Sequence, residues 1–285
     1  MSDTAGTAHL LITCPDRPGI IAAVTNFLVN HNANVTQLDQ HATEGTFFAR
    51  LQFDMPSPAL LRETLPRAFG EVVAPRFEMQ WKLRVAADKL RCAILVSKHD
   101  HALLELLWRW SAGELPVELA GVVSNHPDLG EAVSRFKVPF RHVPLAGLSR
   151  EDASRAVFDA LPEKTDLVVL ARYMQILSGE VCARYPNRII NIHHSFLPAF
   201  IGANPYQQAF DRGVKIIGAT AHYVTADLDE GPIIDQGIAH VSHRYSPLDM
   251  KRLGRDLERQ VLARAVLWHA EDRILVHGHK TIVFS

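Results

Sequence analysis

Apolar and polar positions follow two different rhythms along this chain. Over residues 8 to about 83, short apolar runs are separated by helical stripes. His9 to Cys14 is a short, mostly apolar strand, closed by the turn chemistry of Pro15-Asp16-Arg17-Pro18-Gly19. Ile20, Ile21, Val24, Phe27 and Leu28 then recur at helical spacing and predict a helix from Ile20 to Asn30, ended by Asn32-Ala33-Asn34. Val35 to His41 and Thr46 to Met55 flank Thr43-Glu44-Gly45 and read as a hairpin. Pro58 to Phe69 suits a second helix, and Phe77 to Leu83 a last strand. The resulting order, β-α-β-β-α-β, is the ferredoxin-like arrangement.

The second rhythm starts after Arg84 to Lys89, where Ala86-Ala87-Asp88-Lys89 interrupts two apolar segments. This break divides the chain into a first domain, 1–84, and a second, 85–285. Strands are predicted at Leu90 to Ser97, Val117 to Ser124, Val138 to Val143 and Leu167 to Ala171. Helices are predicted between them at His101 to Trp110, Asp128 to Phe136 and Asp152 to Leu161. Strands alternating with helices imply right-handed crossovers and a mainly parallel α/β sheet of Rossmann-like type, with ligands at the carboxyl ends of its strands. After about Val241 the pattern leaves one long helix, Leu248 to Ala270, and a short tail strand. The stripe Met250, Leu253, Leu257, Val261, Leu262 and Val266 marks that helix's packing face.

Composition narrows the field. With 285 residues the chain is comfortable for two domains, and 47% hydrophobic content supports real cores. A formal net charge of -1 gives no sign of electrostatic binding to nucleic acid or to an anionic membrane surface. The 3 cysteines, Cys14, Cys92 and Cys182, are scattered and form no C-x-x-C pair, which argues against a disulfide framework or a structural zinc. The polar start, Met1 to Thr7, and the absence of a run of membrane-spanning length predict a soluble cytoplasmic protein.

The chemistry concentrates in Asn191-Ile192-His193-His194-Ser195-Phe196-Leu197-Pro198, answered by Asp229 in Asp227-Leu228-Asp229-Glu230-Gly231-Pro232. The apolar run Arg188-Ile189-Ile190 delivers Asn191 and His193 with one residue between them, which on a strand puts both on one face. Singly, each has a plainer explanation: a strand-end Asn capping a turn, one of 15 histidines, a turn Asp before Gly231-Pro232. Together, an amide and an imidazole can hold a developing oxyanion. A carboxylate, its pKa raised if desolvated, can shuttle protons. That is acyl-group chemistry without a nucleophilic Ser or Cys.

Two resemblances sharpen this reading. The strand followed by Asp16-Arg17-Pro18-Gly19-Ile20, a helix and Asn34-Val35 resembles an ACT domain over about the first eighty residues. The resemblance implies a pairing module, with Asp16, Arg17, Gly19, Ile20 and Asn34 as candidate contacts to a small amino-acid effector. Farther on stand Asn191-x-His193-x-Ser195-x-Leu197-Pro198, Gly202, Ala209, Gly213, Gly218-x-Thr220-x-His222 and Asp229-x-Gly231. This series is similar to the formyltetrahydrofolate-dependent transformylase fold, and weaker similarity covers roughly Leu90 to Ser285. It implies Asn191, His193 and Asp229 as the catalytic set. It also implies a folate pocket walled by the segment Arg172, Tyr173, Met174, Gln175, Ile176 and Leu177 on one side and by Thr225, Ala226, Asp227 and Leu228 on the other. Ordinary core is the plainer expectation for Met174, Ile176 and Leu177.

Within that family three departures separate this chain from the glycinamide ribonucleotide enzymes. The loop after the first strand of the second domain, Ser97-Lys98-His99-Asp100-His101, has no Gly to let backbone cradle a phosphate, and Asp100 would repel one. The residue after the catalytic His is His194 where the family has a small residue or Pro, and an ACT-like domain comes first. The chain thus resembles the formyltetrahydrofolate deformylases over nearly its whole length. That resemblance implies hydrolysis of 10-formyltetrahydrofolate to tetrahydrofolate and formate, with no metal and no cofactor beyond the substrate. Lys98, His194 and His222 are candidate water-positioning residues. It also favours self-association as a dimer or tetramer. The alternatives are formyl transfer to a small amine by the same residues and a non-catalytic folate or amino-acid sensor. A transfer RNA substrate conflicts with the charge, and a dehydrogenase with the absence of G-x-G-x-x-G.

Overall fold

The computed structural model describes residues 6–197 and 205–284. Pro198, Gly202, Ala203 and Asn204 of the sequence motif lie outside the described residues. Two compact units emerge: the first runs to Lys89 and includes Glu271–His277 and the residues from Ile282; the second is Leu90–Ala270 with Gly278–Thr281.

The first unit contains β1 (Thr7–Pro15), α1 (Ile20–Asn30), β2 (Asn34–Thr43), β3 (Thr46–Asp54), α2 (Pro58–Arg62), α3 (Thr64–Val72) and β4 (Gln80–Val85). Its 4-stranded sheet has the order β2-β3-β1-β4, with β1 antiparallel to both β3 and β4. Leu10, Ile12, Ala49, Leu51 and Phe53 from the two inner strands meet Val24, Leu28, Leu65 and Phe69 from the helices in one core. The predicted single helix from Pro58 to Phe69 is in fact two, broken at Glu63. Pro66 explains the break, because a proline ring clashes with the carbonyl four residues back, at Arg62, where α2 stops. Phe77 closes a 3₁₀ turn, Ala74–Phe77, so the last strand starts later than its apolar pattern suggested.

The second unit runs β5 (Leu90–Val96), α4 (His101–Ser111), β6 (Val117–Ser124), α5 (Gly130–Ser134), β7 (Phe140–His142), α6 (Arg150–Asp159), β8 (Leu167–Leu170), α7 (Gly179–Arg184), β9 (Ile189–His193), α8 (Pro205–Asp211), β10 (Ile216–Tyr223), β11 (Ile233–His240) and α9 (Pro247–Ala270). The 7-stranded sheet has the order β11-β10-β9-β8-β5-β6-β7. The β5–β6, β6–β7, β5–β8 and β8–β9 pairs are parallel, while β10 and β11 turn antiparallel at one edge. This is the expected mainly parallel α/β fold. Strand order reverses between β5 and β8, so the crevice for a ligand opens there, at the carboxyl ends of the strands. Helix α5 and strand β7 are shorter than predicted, and α7 and α8 carried too few residues for a periodic signal. The tail predicted as one strand is a hairpin, β12 (Ile274–His277) with β13 (Lys280–Val283).

Candidate active site

Strand β9 ends in the site. Its Ile189, Ile190 and Ile192 are buried, and Asn191 and His193 alternate with them toward the cavity. Antiparallel pairing sets His222 of β10 opposite Asn191, and Thr220 opposite His193. The pairing of β10 with β11 slips by one residue at Ala221/His222, a bulge beside the site. After β10 the chain turns through residues 224–231 and returns Asp229 to the same point. Gly231 makes the return possible, because a Cβ there would meet the carbonyl oxygen of Tyr223 at 1.7 Å. Asp229 itself sits at φ 57, a left-handed conformation that a non-glycine side chain adopts at a cost and that tends to persist at functional sites.

The three predicted residues converge. His193 Nδ1 lies 3.2 Å from Asp229 Oδ2, and His222 Nε2 lies 3.5 Å from Asp229 Oδ1. His222 Nδ1 donates to the carbonyl of Tyr223 at 2.9 Å, and its Nε2 sits between Asp229 Oδ1 and the Asn191 amide nitrogen, 3.2 Å from the latter. The Asn191 amide has a second N–H for another partner. His193 Nε2 is buried and has no hydrogen-bond partner among the described residues, so the ring's remaining nitrogen is available to a ligand. Burial pushes the Asp229 carboxyl up, but hydrogen bonds from His193 and His222, and their charges, outweigh it and hold the group well below the usual carboxylate range. The raised pKa expected from desolvation is thus corrected: Asp229 is ionised in the resting site.

A cavity of about 270 Å³ opens on these residues. Tyr173, Met174, Gln175, Ile176 and Leu177 line one wall, and Thr225, Ala226, Asp227 and Leu228 the other. Leu177 is core, 4% exposed, but Met174 at 53%, Ile176 at 48% and Leu228 at 58% are not. Large apolar side chains left that open beside a cavity suit a flat apolar ligand. The wall is braced: Arg150 donates to the Leu177 carbonyl from Nε at 3.1 Å, and Met174 N donates to Ser97 Oγ at 3.0 Å. His194 and His222 also line the cavity, whereas Lys98 is exposed on the loop after β5 and does not. Arg172 lines the cavity, as the resemblance implies, whereas sequence reasoning missed Arg150. Among the described residues no group of three or more His, Cys, Asp or Glu is placed to hold a metal ion. No helix among them is long and apolar enough to cross a membrane.

Residues 90–266 match the family model described as formyl transferase, and residues 8–64 match the ACT domain model. A formyltetrahydrofolate deformylase of Bacillus subtilis (strain 168) is 50% identical over 281 residues, 97% of this chain and 93% of that protein. The crystal structure of a formyltetrahydrofolate deformylase from Pseudomonas syringae pv. tomato superposes with a TM-score of 0.93 at 46% identity, over 98% of this chain and 94% of the other. This chain belongs to the formyltetrahydrofolate deformylase family. A glycinamide ribonucleotide transformylase from Symbiobacterium toebii shares only part of it: TM-score 0.66 and 34% identity, over 69% of this chain and 95% of that one. The deformylase likeness therefore spans both units.

In the first unit, Asp16, Arg17, Gly19 and Ile20 line a separate open cavity of about 540 Å³, together with Gln40, His41 and Phe47. Gly19 sits at φ 92, where only glycine is at ease, and lets the chain turn into α1. Asn34 is not brought there: it opens β2, whose other end supplies Gln40 and His41.

Proposed function

We propose that this chain hydrolyses 10-formyltetrahydrofolate to tetrahydrofolate and formate. The observation that carries the reading is the convergence of Asn191, His193 and Asp229 at the end of a cavity with two apolar walls. The pterin lies between the walls formed by residues 173–177 and 224–228, and the formyl group reaches the three polar side chains. The free N–H of Asn191 and the Nε2 side of His193 hold the formyl oxygen as it becomes an oxyanion. Water attacks the formyl carbon, and its oxygen becomes strongly acidic as the C–O bond forms. A weakly basic carboxylate such as Asp229 then suffices to take the proton. Delivered to N10, that proton lets the C–N bond break.

The three cysteines are buried free thiols, in keeping with a reducing, cytoplasmic compartment. We also assign the first-unit cavity to a small amino-acid effector, to be sought by calorimetry on the whole chain. Self-association as a dimer or tetramer is read from the exposed edge strand β2 and is checked by light scattering.

The test of the activity is incubation with 10-formyltetrahydrofolate and no acceptor, following formate and tetrahydrofolate together. Equal, enzyme-dependent release of both is expected. Release only after an amine is added would make the chain a transferase and overturn the reading.

A further inference from the structure

We propose that Glu258 is a positioning residue that closes the nucleophile's side of the cavity around water and bars amines from the formyl carbon. The proposal rests on the hydrolytic reading above and explains how that site selects its nucleophile. Of the polar cavity-lining residues outside the two apolar walls and the catalytic set, Arg150 braces a wall and His222 holds Asp229, which leaves Arg172 and His194. With folate between the walls and its formyl group on Asn191 and His193, their side is the one left for the second reactant.

That side is held by one carboxylate. Glu258, on the inner face of α9, has a side chain only 2% exposed. Its Oε2 lies 2.8 Å from His101 Nε2 and 3.4 Å from Arg172 Nε, and its Oε1 accepts from the Tyr206 hydroxyl at 3.0 Å. The three partners come from three separate segments: the start of α4, the residue after the buried stretch that ends β8, and α8. A buried carboxylate persists only where such partners compensate its lost hydration.

Two local distortions accompany the cluster. Arg172 sits at φ 62, left-handed and unfavourable for any side chain. One turn before Glu258 stands Gly254, where a Cβ would meet the Tyr206 hydroxyl at 2.0 Å, so the ring lies flush on α9 only because no side chain intervenes. His194 completes the closure. Its ring stacks on that of His193, with centroids 5.1 Å apart, and lies 6.4 Å from the ring of Tyr206. Burial, then the Arg172 and His193 charges, push the His194 pKa down to about 4, so its ring is neutral at neutral pH.

What remains on this side is polar. Arg172 Nε is a buried nitrogen whose ion pair with Glu258 at 3.4 Å is too long for a hydrogen bond, and among the described residues it has no hydrogen-bond partner. A group of this kind takes a water. With water, oxygen bonds to the formyl carbon, the C–N10 bond breaks, one water proton goes to N10 and the other is released with formate. With a primary amine, a C–N bond forms instead, the amine's proton goes to N10, and the product is a formamide. The choice between the two is made by what fits between Arg172, His194 and the folate.

The experiment compares the parent chain with Glu258→Gln, which keeps the shape and removes the charge, and with Arg172→Gly, which suits the left-handed backbone. Each is given 10-formyltetrahydrofolate with excess glycinamide, and formate, formylglycinamide and tetrahydrofolate are counted. The parent is expected to release formate one-for-one with tetrahydrofolate, with or without the amine. The variants are expected to raise the share of formylglycinamide by about tenfold or more, the discrimination that one added or lost pocket contact supports. Folded variants that still release formate one-for-one would overturn the proposal. If Glu258→Gln does not fold, Arg172→Gly decides alone. A parent that makes no formate without amine would sink the hydrolytic reading itself, a result visible in the parent before any variant is measured.

Discussion

Asp229 shows how much of a site's chemistry is set between residues distant in sequence. Local sequence places a desolvated carboxylate before Gly231-Pro232, and desolvation alone would raise its pKa. The contacts that reverse the sign come from His193 and His222, on two different strands. A folded-state pKa below the unfolded one contributes stability that is present above the unfolded value and is lost as pH falls toward the folded one. Asp229 is therefore expected to remain ionised through the ordinary Asp titration range. ¹³C NMR of its carboxyl carbon checks this, and a midpoint near pH 4 in the parent would contradict it. Two substitutions separate the roles. Asn191→Ala removes an oxyanion donor and should lower kcat by about 10²–10³-fold, with little change in folate binding. Asp229→Asn should abolish measurable hydrolysis while folate binding, followed by fluorescence titration, survives. Turnover at the parent rate would remove Asp229 from the mechanism.

At the scale of elements, the site is the meeting of β9 with two loops, and the loops can be probed apart from the core. Met174 and Leu228 are exposed at the cavity rim, whereas Leu177 is buried among Leu170, Tyr173 and Val181. Leu177→Ala should cost about 2–5 kcal/mol of stability, the range for truncating a core leucine. Met174→Ala and Leu228→Ala should leave Tm nearly unchanged and raise KM for the folate by roughly tenfold, through lost apolar contact with the ligand. Equal losses of stability at all three positions would make the wall ordinary core. The Asn191–His193 pair was legible in the sequence because strand periodicity is strict, and so was the alternation of β5 through β8. Glu258 was not. The stripe of α9 reads Met250, Leu253, Leu257, Val261, and a glutamate one position from it looks like a solvated neighbour. Only His101, Arg172 and Tyr206, from three distant segments, reveal that it points inward. Short α7 and α8 were likewise silent, since six or seven residues hardly complete two helical turns.

At the scale of the molecule, the first unit depends on the end of the chain. One face of its sheet carries His9 on β1, Arg50 on β3, and Lys82 and Arg84 on β4, neighbours by strand register. The three cations among them, Arg50, Lys82 and Arg84, would repel one another if left alone. Asp272, buried and at φ 52, meets this face: Oδ2 lies 3.2 Å from His9 Nδ1 and accepts from Arg84 Nε, and Oδ1 accepts from Lys82 Nζ at 3.2 Å. The backbone carbonyl of Asp272 accepts from Arg50 Nε at 3.1 Å. Burial pushes this carboxyl up, but the His9 hydrogen bond and the Arg84 and Lys82 charges bring it down to about 2 from 3.8. The folded value is the lower, so the contribution is complete above about pH 4 and disappears as pH falls toward 2. By linkage it amounts to roughly 2 kcal/mol. Asp272→Asn should therefore lose about 2–4 kcal/mol at neutral pH, since it also leaves cations facing one another on a covered surface. Urea unfolding at pH 7 and pH 3 measures this. The parent should weaken between the two by more than the variant does, and parallel losses would show that Asp272 carries no such linkage. A chain ended at Ala270 removes the same carboxylate and should destabilise the first unit at least as much. An effector titration on residues 1–84 alone would then report on an incomplete unit, and silence there would say nothing of the cavity beside Arg17 in the whole chain.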